Sequence, residues 1–325
     1  MFPELGTQFW ACGLKGGTGT TLAGFQHHEA AMRWEDFRRS ENVEDARGSG
    51  GFSGGRAGGL GLGTVIVLGL LGWAFGIDPS VLIGGAEILT GGSQPSQQQP
   101  APRGTPTDQT GQFVAAVLGD TEDRWKEIFE KSGRTYRPPT LRLFNGATQS
   151  ACGFAQTAMG PFYCPKDQHV YLDTSFFQDI ERRFRGCSGK ACEFAQAYVI
   201  AHEVGHHVQN LMGILPKVTQ MQQSQDRAGA NQLQVRVELQ ADCLAGVWAH
   251  HSQEKWKSIE PGDVEAALQT ASAIGDDRLQ KQSQGYVVPD AFTHGSSAQR
   301  VQWLTTGLKS GDVASCDTFK AASRL

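Results

Sequence analysis

A dominant sign of charge is the first thing this chain lacks. Its 29 Lys and Arg stand against 33 Asp and Glu, a formal net charge of −4, and no basic stripe with interleaved aromatics occurs. Nucleic acid is therefore excluded as an expected partner, because phosphate backbones are held by clustered cations. Charge of either sign is missing from Ala57 to Ile77, and Leu60 to Ile77 is rich in Leu, Val, Ile, Gly, Trp and Phe. That length, about 18 residues, suits a single transmembrane helix. Arg33, Arg38, Arg39, Arg47 and Arg56 precede it, and the next basic residue after it is Arg103. The positive-inside rule then predicts a cytoplasmic N-terminus with everything after Ile77 extracytoplasmic, in the periplasm or at the cell exterior. A cleaved signal peptide is the weaker alternative, with a long n-region and no clear A-x-A site.

A lysine is missing where it would matter in Lys15 to Thr21: Thr20 stands at the position a phosphate loop needs for Lys. Residues 1–31, with Cys12, His27 and His28, read as an extension to which no function is assigned. Met32 opens a charged stretch, and residues 32–59 are expected to be cytoplasmic and disordered. Past the 60–77 span, residues 78–108 form a Gln/Pro-rich linker, leaving 109–325 as the working domain. About 215 residues are enough for one compact core.

Proline is absent from Ala195 to Met212, AQAYVIAHEVGHHVQNLM, and the apolar residues there recur at helical spacing, with Gly213 and Pro216 as stop signals. This helix carries His202-Glu203-Val204-Gly205-His206, the HExxH signature. One turn apart on one face, His202 and His206 can converge on a single metal ion with Glu203 beside it. A catalytic zinc keeps three protein ligands and leaves one position open. The metzincin third ligand is missing, because Gln209 and Met212 occupy the places of its Gly and His. His207 projects about 100° away and cannot share the metal.

The third ligand is expected from Val235 to Ala249, where Glu238 and Asp242 stand four apart on one helical face. Glu238 completes a His-His-Glu set, and Asp242 accepts the remaining N–H of a ligand histidine, His202 by preference. A variant with Asp242 as the ligand is kept as the alternative. This E-x-x-x-D pattern after HExxH resembles the gluzincin peptidases.

Six of the seven cysteines, Cys152, Cys164, Cys187, Cys192, Cys243 and Cys316, follow the apolar span, an even set that suits an oxidising compartment. Sequence alone allows fifteen pairings, of which Cys152–Cys164, Cys187–Cys192 and Cys243–Cys316 is preferred. A helix over Phe113 to Leu118 is expected to give way to a second one capped by Asp120 or Thr121. A strand follows at Thr140 to Phe144, and a hairpin at Gly160 to Cys164 and His169 to Leu172 around Pro165 to Gln168. Its edge strand could bind an extended peptide through the main chain. Helices are expected at Gly262 to Leu279 and Ala298 to Leu308. Between them His294 is the candidate oxyanion donor, in a T-H-x5-R context like that of gluzincins related to heat-shock and CaaX-processing membrane proteases. Tyr286 and His250 are its substitutes.

Taken together, the MRW…NVEDARG start, CGFAQTAMGPFYCP, VYLD, AHEVGHHVQ, ELQADCLAG and FTHGSSAQR resemble the bacterial neutral zinc metallopeptidase family of membrane-anchored proteins, from Met32 to about Cys316. The resemblance implies an α+β, gluzincin-like domain, mainly helical with a small sheet, after one N-terminal transmembrane helix. It also implies a Zn2+-dependent peptidase acting on peptide or protein substrates. The expected mechanism has zinc on His202, His206 and Glu238, with Glu203 as general base and His294 at the oxyanion. Two other readings stand beside it, a catalytically silent zinc-containing binding module and a zinc amidase acting on cell-wall peptides.

Overall fold

The computed structural model describes residues 32–48 and 103–320, apart from 158–159, 183–184, 186, 188–191 and 261. The 1–31 extension, the 60–77 span and residues 78–102 of the linker lie outside the described residues. Among the described residues no helix is long and apolar enough to cross a membrane.

Helix α1 spans Gln109–Lys131, and the Asp108 side chain caps it by accepting from the Gly111 amide at 3.1 Å. The expected break at Asp120 or Thr121 does not occur. Asp120 is buried and accepts from the Trp248 and Trp256 indoles at 2.9 and 2.8 Å, so its oxygens are engaged across the core rather than at a helix end. Thr121 donates back to the Leu118 carbonyl, as mid-helix hydroxyls do.

Two sheets follow. The larger has the order β1–β2–β6–β5, from Val43–Asp45, Thr140–Phe144, His169–Asp173 and Phe162–Cys164. β1 and β6 run parallel to β2, and β5 closes one edge antiparallel to β6. The predicted strand and hairpin are present, the latter turning through Gln168 at φ 59°. A short antiparallel ribbon of β3 (Ala147–Ser150) and β4 (Gly153–Gln156) was not anticipated.

β1 overturns part of one expectation. Residues 32–48 are not a separate disordered segment, because Met32, Trp34, Phe37 and Val43 are buried in the same core as α1 and the sheet. Their charged neighbours had suggested disorder, but only the apolar ones enter the core.

Beyond α2 (Ser175–Arg182) the fold is helical: α3 (Cys192–Leu211), α4 (Ile214–Gln222), α5 (Arg227–Trp256), α6 (Asp263–Ala273), α7 (Asp276–Gln284) and α8 (Ser297–Ser310). The helix expected over Gly262 to Leu279 is thus two, broken at Gly275. There the Asp276 carboxylate accepts from the Thr293, His294 and Gly295 amides, and Asp277 accepts from Ser297, so these side chains bind the next loop instead of continuing one helix. Small residues set the helix packing. A Cβ at Gly307 on α8 would strike the Cys243 carbonyl on α5, and one at Gly205 on α3 would press on Ala241. Glycine at 205 lets the HExxH helix lie directly against the helix of Glu238 and Asp242. Disulfides join Cys152–Cys164, Cys187–Cys192 and Cys243–Cys316, the preferred pairing.

Candidate metal centre

α3 and α5 face each other across the predicted residues. His202 Nε2 and His206 Nε2 lie 3.2 and 3.4 Å from Glu238 Oε2, and one donor atom from each residue lies within 4.8 Å of the others. A tetrahedral zinc with Zn–N and Zn–O bonds near 2.0–2.1 Å holds its ligand atoms about 3.3 Å apart. The two histidine–glutamate separations match that spacing, and the cluster forms with Glu238, not Asp242, as the third member.

Hydrogen bonds around the three residues fix which atoms face inward. His202 Nδ1 lies 2.9 Å from Asp242 Oδ1, an oxygen that can only accept, so Nδ1 carries the proton and Nε2 offers its lone pair. Gln209 Nε2 donates to the Val237 carbonyl at 2.8 Å, which leaves Gln209 Oε1 to accept from His206 Nδ1 at 2.9 Å. Gln209 Nε2 also reaches Gln240 Oε1 at 3.0 Å, and Gln240 Nε2 donates to the Cys316 carbonyl at 2.9 Å. Both imidazoles thus aim Nε2 at the Glu238 carboxylate. Two imidazoles and a carboxylate converging in this way could hold a metal ion, and the donor set suits zinc.

The electrostatics agree. Burial by itself would lower the His202 pKa, but the hydrogen bond and charge of Asp242 outweigh it and push the ring up to about 10 in the metal-free chain. Burial likewise opposes the Glu238 charge, yet the two imidazoles hold its carboxyl well below the ordinary carboxylate range. Asp242, 0% exposed, is opposed by burial and still brought down to about 2 by Arg300 and His202. It accepts from Arg300 Nε and Nη2 at 2.9 Å each, from the Tyr198 hydroxyl at 2.6 Å, and from His202. The sequence reading missed Arg300 and Tyr198. The i,i+4 spacing of Tyr198 and His202 on α3 was the available clue.

Glu203 is 7% exposed and lines the same cleft, and among the described residues its carboxylate has no hydrogen-bond partner. Burial raises its pKa, offset in part by His202 and His206. A cleft-lining carboxylate that burial raises in pKa and no neighbour holds is placed for a proton-handling role. The cleft, of about 930 Å³, is walled by Phe162 and Tyr163 of β5, Leu215 and Val218 of α4, and His294. His294 Nδ1 lies 3.0 Å from Thr293 Oγ1 and 3.4 Å from Asp276 Oδ1, on the loop that Asp276 organises. The substitutes are placed elsewhere: Tyr286 is exposed, and His250 is tied to the Leu308 carbonyl at 2.9 Å.

His207, directed away from the metal donors as expected, is buried between the Arg137 carbonyl on Nε2 (2.6 Å) and the Tyr163 hydroxyl on Nδ1 (3.0 Å). It locks the edge strand β5 to the HExxH helix. Burial pushes its pKa down to about 4, while the unfolded ring titrates near 6.5. Between those values the unfolded chain binds the extra proton, so stability falls as pH drops from about 6.5 to 4, by about 3 kcal/mol. Urea midpoints at pH 6.5 and 4.5 are expected to show this loss in the wild type and a flatter dependence in His207→Gln. Equal slopes would sink the assignment.

Fold and site together define a class: a mainly helical α+β domain in which two histidines and a glutamate that could hold one metal ion converge in an open cleft. The chain belongs to the neutral zinc metallopeptidase family, whose description reads "Putative neutral zinc metallopeptidase" and whose model matches residues 32–319. It is 49% identical over 295 residues to the "Uncharacterized protein YpfJ" of Escherichia coli (strain K12), covering 89% of this chain and 99% of that protein. It is 44% identical over 218 residues to the "Uncharacterized protein Rv2575" of Mycobacterium tuberculosis, covering 64% of this chain and 70% of that protein. No solved structure matches the chain.

Proposed function

We propose that this chain is a zinc-dependent peptidase of gluzincin type that hydrolyses peptide bonds with Glu203 as general base. The observation that carries the reading is the unpartnered Glu203 carboxylate, buried in a cleft beside three convergent metal donors. Zinc, bound by His202, His206 and Glu238, would supply a Lewis acid for the scissile carbonyl and a water of lowered pKa. Glu203 accepts a proton from the attacking water and returns it to the leaving amine nitrogen. His294 donates to the oxygen on which negative charge develops. β5, the edge strand among the described residues, offers main-chain groups to an extended peptide, and Phe162, Leu215 and Val218 give its side chains apolar walls. The three disulfides support an extracytoplasmic location, and Leu60 to Ile77 is the stretch proposed to contact the membrane.

Mass spectrometry of a diverse peptide mixture, incubated with zinc-loaded protein and with the same protein after chelation, tests this reading. New peptide termini are expected only with zinc. Cleavage of muropeptides alone would favour the amidase, and bound zinc without any cleavage would favour a silent binding module.

A further inference from the structure

We infer that residues 32–47 and the metal-centre domain occupy one compartment, on the same side of any membrane that the intervening chain meets. The inference stands apart from the peptidase reading and rests on how the N-terminal stretch is built into the domain. β1 pairs in register with β2, Val43 with Leu141, Glu44 with Arg142 and Asp45 with Leu143, and the pairing is extended by Leu141 N to Asn42 O at 2.8 Å and Ala46 N to Leu143 O at 2.9 Å. Met32 and Val43 are 1% and 0% exposed. Trp34 sets its edge on Phe113 of α1 at 5.6 Å, and Phe37 lies 5.8 Å from Trp256 at the end of α5. These contacts join the stretch to three separate parts of the domain.

Four of the five arginines that suggested a cytoplasmic N-terminus are bound within the same fold, and Arg56 lies outside the described residues. Arg33 donates to the Trp256 and Lys257 carbonyls, and Arg38 pairs with Glu122 and Asp123 at 2.6 and 2.9 Å. Arg39 donates to Gln112 and lies over the Trp34 ring at 5.1 Å, while Arg47 pairs with Asp45 and Asp108. Their charge is used to fix the stretch to the domain, so it does not report which side of a membrane they face.

The chain also returns where it left. Gly104 N donates to the Val43 carbonyl at 3.0 Å, and Arg103 bridges to Glu44 in both backbone and side chain. Two points joined by a β-bridge cannot stand on opposite faces of a hydrocarbon layer about 30 Å thick. A single span with the N-terminus inside and the domain outside is incompatible with this sheet.

The test uses the full chain in the membranes of the cells that make it, in a Cys12→Ser background so that the remaining native cysteines are in disulfides. Single cysteines are introduced at two exposed positions, Glu35→Cys before the intervening chain and Lys309→Cys after it, and spheroplasts are treated with a membrane-impermeant maleimide before and after lysis. Both sites labelling before lysis, or both only after it, is the expected kind of result. Labelling of one before lysis and of the other only after it would overturn the inference. As an independent check, Glu44→Cys with Arg142→Cys is expected to crosslink within one chain under mild oxidation of intact membranes. Absence of that crosslink in protein that still binds zinc would also overturn it.

Discussion

Glu203→Gln is expected to retain one zinc per chain and to lose peptide hydrolysis by about 10²- to 10⁴-fold, the range for removal of a general acid–base group. The amide matches the carboxylate in size and fits the same cleft wall, but it cannot take a proton from water. Glu203 makes no hydrogen bond among the described residues, so the change breaks no structural contact. Zinc content by atomic absorption and kcat/KM on the peptides found by mass spectrometry would be measured together. Retained zinc with wild-type turnover would remove Glu203 from the proposed role. Lost zinc would show that Glu203 supports the site rather than the reaction.

Asp242→Asn is expected to damage stability and zinc affinity at once. Asp242 receives Arg300, Tyr198 and His202 on its two oxygens, and Arg300 is 3% exposed. Removing one member of a buried ion pair costs about 3–5 kcal/mol, because the other charge is stranded. The asparagine nitrogen must also point a donor at another donor, either His202 or Arg300. Losing the anchor of a metal-binding imidazole typically weakens metal binding by about 10- to 100-fold. The wild-type contribution is present above about pH 4 and is lost as pH falls toward the folded-state value of about 2, so the variant should lack that acid-side loss. Urea unfolding of the metal-free protein and competition with a chromogenic chelator check the two effects. Wild-type values in both would refute the load assigned to Asp242.

How much of this was legible before the fold was known depended on whether a signal was local. His202, Glu203 and His206 share one turn of one helix, and Glu238 and Asp242 share another, so spacing alone placed each set on a face. That the two faces meet required only that both helices bury their apolar sides. Arg300 is another matter. It lies 58 residues from Asp242 and 102 from Tyr198, and nothing in its own neighbourhood announces a partner. β1 escaped for a related reason: three residues, Val-Glu-Asp, show no alternation, and their parallel partner lies almost a hundred positions on. The break at Gly275 was hidden because the groups that stabilise it belong to residues 293–297, outside any window that reads helix periodicity.

The amide relay from His206 through Gln209 and Gln240 ends on the Cys316 carbonyl, in a turn that the Cys243–Cys316 bond holds against α5. The tail of the chain therefore belongs to the wall of the metal centre, although it touches no ligand. Cutting the protein before Cys316 would leave Gln240 with an unfilled donor in a buried place and let the amide row swing, loosening the imidazole at its other end. A thiol reductant and a chelator, agents with no chemistry in common, would then work on the same histidine from opposite ends.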